Sequence, residues 1–299
     1  MGSPVFALPT LKALATAYEV AGVVTQPDRP AGRGRQLTPP PVKQLAGELG
    51  VSVIQPPRLK EPGAMQQILA WQPDLIVVAA FGQILRPDVL ELPRFGCINV
   101  HASLLPRWRG AAPIAAAILN GDQETGITIM KMDAGIDTGG ILSQATEPIL
   151  PDDTSISLAD RLANLGAALL IKTLPEYLAG SLRPLPQDET KASYAPILKK
   201  ENGLLDFNQT AITLDRQVRA YLPWPGAFMF WQGQPLKIHR TSVGKQTNED
   251  EPANPGQFIR YQGYPAVQTR HGVLVLESLQ PAGKRVMTGK AFLQGVKDW

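Results

Sequence analysis

An asparagine and a histidine stand two residues apart in the run CINVHASLLPRWRGAAP, from Cys97 to Pro113. In an extended strand the side chains at i and i+2 share a face, so Asn99 and His101 point the same way, with Cys97 one step behind. An amide donor beside an imidazole suits a reaction that develops an oxyanion, such as acyl transfer to an amine. Downstream, MDAGIDTGGIL sets Asp133 and Asp137 in a glycine-rich turn. Either carboxylate could orient the imidazole, and spacing alone does not choose between them. Cys97 is read as a small buried thiol of a strand rather than a nucleophile. Ser103, Leu104, Leu105 and Pro106 could line an apolar slot for a flat heterocycle, with Arg107 and Arg109 near enough for an anionic group.

Those residues must be placed by the elements around them. Short apolar runs at Val20–Gln26, Val51–Gln55, Asp74–Ala80, Cys97–His101 and Gly126–Met132 alternate with helix-like segments at Leu8–Ala17, Pro41–Leu49, Ala64–Trp71, Ala111–Leu119 and Ser155–Ala179. The pattern predicts an α/β fold with a doubly wound, mostly parallel sheet over residues 1–180. In such sheets ligands bind beyond the carboxyl ends of the strands, where His101 sits. Residues 181–200 are polar, proline-bearing and without strong periodicity, which reads as a linker. After it, short β-type runs separated by Gly, Pro and Asn predict a smaller β-barrel or sandwich over residues 201–299, with a barrel of the oligonucleotide-binding kind as the first choice.

Composition narrows the class. The chain has 299 residues, enough for two domains, and a formal net charge of +3. Lys and Arg number 17 against 18 Asp and Glu in residues 1–199, and 12 against 8 in residues 200–299. The basic excess therefore lies in the last third, compatible with a polyanionic partner. One cysteine excludes an internal disulfide, and the three histidines are too scattered for zinc-ligand spacing, so no metal site is expected. No uncharged run of about 18 apolar residues and no secretion signal is found, so a cytoplasmic location is expected. No Gly-x-Gly-x-x-Gly follows a strand, which argues against a dehydrogenase.

INVHASLLPRWRGAAPI and GITIMKMDAGIDTGGIL, together with VVTQPDRPAGRGRQLTPPPVKQLA, AYLPWPGAF (Ala220–Phe228) and LQPAGKRVM (Leu279–Met287), resemble the formyltransferases that use 10-formyltetrahydrofolate. The resemblance runs over essentially the whole chain. It implies transfer of a formyl group from 10-formyltetrahydrofolate to the amino group of initiator methionyl-tRNA, by a monomer. It implies Asn99, His101 and Asp137 as the catalytic trio and Ser103–Pro106 as the folate-binding segment. The basic loop with Arg29, Arg33 and Arg35 is implied to contact the acceptor end of the tRNA, with Arg33 in the leading position. Lys199, Lys200, Arg216, Arg219, Lys237, Arg240, Lys284 and Arg285 would add a mostly sequence-independent surface for phosphates. A formyltransferase for a small amine and a catalytically inert RNA-binding homologue are the alternatives. The resemblance also implies a strand ahead of the Gly2-Ser3-Pro4 turn, so the sheet is expected to lack its first strand and the product to carry about ten more residues.

Overall fold

A computed structural model describes all residues except 32–35, 246–253 and 297. The chain divides into two compact units. The first comprises Met1–Pro113, Glu124–Pro148 and Ala159–Pro196; the second comprises Ile114–Gln123, Ile149–Leu158 and Ile197–Trp299.

In chain order the elements run α1 (Leu8–Ala17), β1 (Val23–Val24), β2 (Arg29–Ala31), β3 (Gln36–Thr38), α2 (Pro41–Glu48), β4 (Val53–Ile54), α3 (Pro62–Trp71), β5 (Ile76–Val78), α4 (Pro87–Leu90), β6 (Cys97–His101), β7 (Arg109–Gly110) and α5 (Pro113–Asn120). They continue through β8 (Glu124–Lys131), β9 (Ile141–Pro148), α6 (Ser155–Leu178) and β10 (Tyr194–Ala195). Helices α1 to α4 each carry proline in the first turn, where its missing N–H costs nothing.

The first unit is α/β and doubly wound. Strand β6 lies between β5, to which it is parallel, and β8, to which it is antiparallel; β9 follows as an antiparallel edge. Strands β1 and β4 form a separate parallel pair. The lane between β1 and β5 holds the first two residues: the Gly2 N–H donates to the Val24 carbonyl, and the Ala79 N–H donates to the Met1 carbonyl at 2.9 Å. Alternation along β6 divides its work. Cys97 packs into a cluster with Ile68 of α3, Val89 of α4, Ile76 and Val78. Val100, on the other face, lies against Gly166 of α6, where an added Cβ would come within 2.7 Å of the valine methyl. Asn99 and His101 continue the Cys97 face past the end of the cluster.

The segment expected as a linker is built into the first unit as far as Pro196. Tyr194 and Ala195 pair in parallel with Arg109 and Gly110, which ties this stretch to the loop after β6.

The second unit adds α7 (Ala211–Ala220), β11 (Ala227–Trp231), β12 (Gln234–Gly244), β13 (Phe258–Tyr261), β14 (Tyr264–Gln268), β15 (Val273–Pro281), β16 (Met287–Thr288) and α8 (Gly289–Gln294). The strands make one antiparallel sheet in the order β11-β12-β15-β14-β13, with β16 on β15. Among the described residues no pairing joins β13 to β11, so the hydrogen bonding traces an open sheet where a closed barrel was expected. Leu214 and Val218 of α7 and Phe292 of α8 pack with Met229, Leu236, Ile238, Leu274 and Leu279 as its core. Helix α7, absent from the sequence reading, is capped by Thr210, whose hydroxyl accepts the Thr213 N–H.

Candidate active site

Strand β6 delivers Asn99 and His101 to one spot, and the Asp137 turn comes to meet them. The Asn99 amide donates to Asp137 Oδ1 at 3.3 Å, and His101 Nδ1 lies 3.6 Å from Oδ2. The Gly110 N–H donates to the same Oδ2 at 2.8 Å. The His101 side chain is 6% exposed and the Asp137 side chain 15%. The other imidazole nitrogen, Nε2, is 3.0 Å from the Trp108 carbonyl. A carbonyl only accepts, so Nε2 is a donor there, and Nδ1 is the atom turned to Asp137.

The two aspartates that spacing alone left open, and of which the resemblance implies Asp137, differ in their contacts. Asp133 accepts from the Gly135 N–H and from the Thr138 hydroxyl at 2.7 Å, so it closes the turn on itself. Asp137 is the one that reaches β6. Its backbone is left-handed, with φ +53°. Trp108, whose carbonyl holds the histidine, is left-handed as well at φ +63°. Aspartate tolerates this region better than most residues, whereas for a tryptophan it costs about 1–2 kcal/mol, which surrounding contacts must offset.

Those contacts come from the stretch after α6. Arg109 is fully buried and its guanidinium forks onto Glu189, at 2.8 and 2.7 Å, and onto Gln187 Oε1, at 3.1 and 2.9 Å. Gln187 in turn donates through Nε2 to the carbonyls of Asp137 and Gly139, at 2.8 and 2.7 Å. The Trp108 N–H donates to the Ser193 hydroxyl, and the Arg109 N–H to the Ser193 carbonyl. The hydrogen-bonded ion pair raises the Arg109 pKa above its ordinary value and holds the Glu189 carboxyl below the usual carboxylate range. Sequence reasoning missed Gln187, Glu189 and Ser193. Their polar, non-periodic surroundings carry no signal, because their value lies in partners about 80 residues away.

The Ser103–Pro106 loop is fixed from beneath. The Thr128 hydroxyl donates to the Ser103 carbonyl at 2.6 Å and accepts the Leu105 N–H at 3.0 Å, while Gln144 donates to the Leu105 carbonyl. Ser103 and Leu105 are buried, with the Ser103 hydroxyl spent on the Arg107 carbonyl. The partly accessible side chains of the four are Leu104 and Pro106. Burial pushes the Cys97 thiol up to about 12, which leaves it unreactive beside the site.

The expected nucleic-acid contacts divide by position. Arg29 is exposed in the β2-β3 ribbon; Arg33 and Arg35 lie outside the described residues. Lys199 and Lys200 are exposed in the second unit. Arg219 is committed within that unit, to Asp215 at 2.9 Å and to the Asp153 carbonyl. Arg240 pairs with Glu277 at 2.9 Å while staying exposed. Among the described residues no helix is long and apolar enough to cross a membrane.

A family model described as formyl transferase matches residues 7–174, and one described as formyl transferase, C-terminal domain, matches residues 197–297. A methionyl-tRNA formyltransferase of Trichlorobacter lovleyi is 49% identical over 298 residues, covering 99% of this chain and 92% of its own length. One from Myxococcus xanthus is 47% identical, covering 99% and 94%. Among solved structures, a sugar 3N-formyl transferase, WlaRD, crystallised with dTDP and 5-N-formyl-THF, superposes with a TM-score of 0.67 at 19% identity, over 95% of this chain and 97% of that one. A methionyl-tRNA formyltransferase from Clostridium thermocellum superposes at 0.52 and 20% identity, over 67% and 86%. The fold is shared with both solved structures, whereas high identity over nearly the full length is shared with the Trichlorobacter and Myxococcus tRNA enzymes, so this chain belongs to the formyl transferase family as one of its methionyl-tRNA formyltransferases.

Proposed function

We propose that this chain transfers the formyl group of 10-formyltetrahydrofolate to the amino group of initiator methionyl-tRNA, in the cytoplasm and as a monomer. The observation that carries the reading is the convergence of Asn99 and His101 on the two oxygens of Asp137.

The amine of an aminoacyl ester has a pKa no higher than the free α-amino value of about 8, so a useful fraction is neutral at pH 7 and attack needs no strong base. As the amine adds to the formyl carbon, the carbonyl oxygen takes up negative charge. Asn99 and His101 are the groups assigned to meet it; loss of one such donor costs about 3–4 kcal/mol of transition-state stabilisation. With Nε2–H held by the Trp108 carbonyl, Nδ1 is the nitrogen left to meet the oxyanion, and it donates only when the ring carries a proton on both nitrogens, the form a carboxylate beside it favours. Asp137 orients both partners and takes part in moving the amine proton towards N10 of the departing folate. Leu104 and Pro106 supply the apolar edge against which the folate lies. Arg29, Arg33, Arg35, Lys199 and Lys200 are assigned to tRNA phosphates.

The test is to incubate the purified protein with 10-formyltetrahydrofolate and either charged initiator tRNA, free methionine or an amino sugar. The expected result is formyl-methionyl-tRNA with no product on the small amines. Efficient formylation of a free amine with none of the tRNA would overturn the reading in favour of a small-amine enzyme.

A further inference from the structure

The Arg109, Gln187 and Glu189 assembly lies outside the trio, with Arg109 fully buried, Gln187 half-buried and Glu189 closing it from the exposed side. Its atoms are ordered in one direction. Glu189 and Gln187 Oε1 consume the planar fork of Arg109, which fixes the guanidinium at four short contacts. Because Oε1 accepts from Arg109, the amide nitrogen of Gln187 must face the opposite way, and there it donates to two carbonyls of one turn. That turn carries Asp137 in a left-handed conformation, φ +53°, which aspartate tolerates when local hydrogen bonds hold it. The next residue after Arg109, Gly110, donates its N–H to the Asp137 carboxylate, so the same short strand holds the Asp137 side chain directly and its backbone through Gln187.

We propose that Gln187, aimed by the buried Arg109, is a positioning residue for the reaction: it clamps the carbonyls of Asp137 and Gly139 and so sets the carboxylate against Asn99 and His101. The assignment rests on the function proposed above. Only a side chain with an acceptor on one side and a double donor on the other fits. A glutamate there would satisfy Arg109 but turn a charged oxygen onto two carbonyls, which repel it. A displacement of about 1 Å at a reacting group costs up to about a hundredfold in rate, so the effect falls on turnover rather than on substrate affinity.

The test is a double-mutant cycle between Gln187→Glu and Asp137→Asn, with formylation of charged initiator tRNA by 10-formyltetrahydrofolate as the readout. Gln187→Glu is expected to lower kcat about 10- to 100-fold, with KM for both substrates within about threefold. In the Asp137→Asn background, where no carboxylate remains to be placed, it is expected to lower kcat no further. Gln187→Met, which keeps the length and lacks both donors and charge, is expected to show the same loss and the same coupling, and serves if the glutamate variant does not fold. Losses that multiply in the double variant, or a Gln187→Met enzyme with normal kcat, would overturn the positioning role while leaving the function intact. Normal turnover by Asp137→Asn would instead remove Asp137 from the chemistry and take the functional reading with it.

Discussion

At the scale of single residues, the site is made from groups whose neighbours leave them little choice. His101 cannot turn its Nε2–H to a substrate without giving up the Trp108 carbonyl at 3.0 Å, so its orientation is inherited from a tryptophan in an unfavourable backbone conformation. Nothing about a tryptophan in a sequence signals φ +63°; it follows from contacts to Ser103 and Ser193 that exist once the chain is folded. Cys97 illustrates the reverse case. It shares a face with Asn99, yet burial holds its thiol near pKa 12. The native protein should therefore resist iodoacetamide at pH 9, where about one thiol in a thousand would be ionised, and should react fully once unfolded. Stoichiometric labelling of the folded protein, followed by intact mass, would contradict the burial of Cys97.

At the scale of elements, β6 was legible from its residues, with Cys97–His101 standing where the apolar run predicted, and so was α1 over Leu8–Ala17. Both carry their determinants locally: an apolar run ending in polar residues, and a proline-led helical stretch. The choice of Asp137 over Asp133 was not legible from spacing, only from the resemblance, because it depends on which aspartate closes its own turn. Helix α7 was hidden because its four buried positions, Ala211, Leu214, Val218 and Ala220, include only two large apolar side chains among polar and charged neighbours. The pairing of β7 with β10 was hidden because two-residue strands have no periodicity to read. That pairing has a testable weak point. Gly110 has φ +110°, and a Cβ there would sit 2.6 Å from the Ala195 carbonyl oxygen. Gly110→Ala should cost about 2 kcal/mol or more of stability through strain and overlap, read as a lowered denaturation midpoint in urea. An unchanged midpoint would show that β7 and β10 do not pack as described.

At the scale of the whole molecule, chemistry and charge are distributed differently along the chain. The groups that converge on Asp137 all belong to the first unit, whereas the excess of basic over acidic residues belongs to the last third of the sequence. A small amine as acceptor would not call for that excess; a polyanionic tRNA does. It follows that changes at the trio should spare tRNA affinity and fall on turnover. The most direct measurement is kcat for formylation of initiator methionyl-tRNA by Asn99→Ala, His101→Ala and Asp137→Ala, with tRNA affinity measured in parallel. Each variant should lose about a hundredfold or more in kcat while tRNA affinity stays within about twofold. Near-normal turnover in any of the three would contradict the claim that these side chains together carry the transfer.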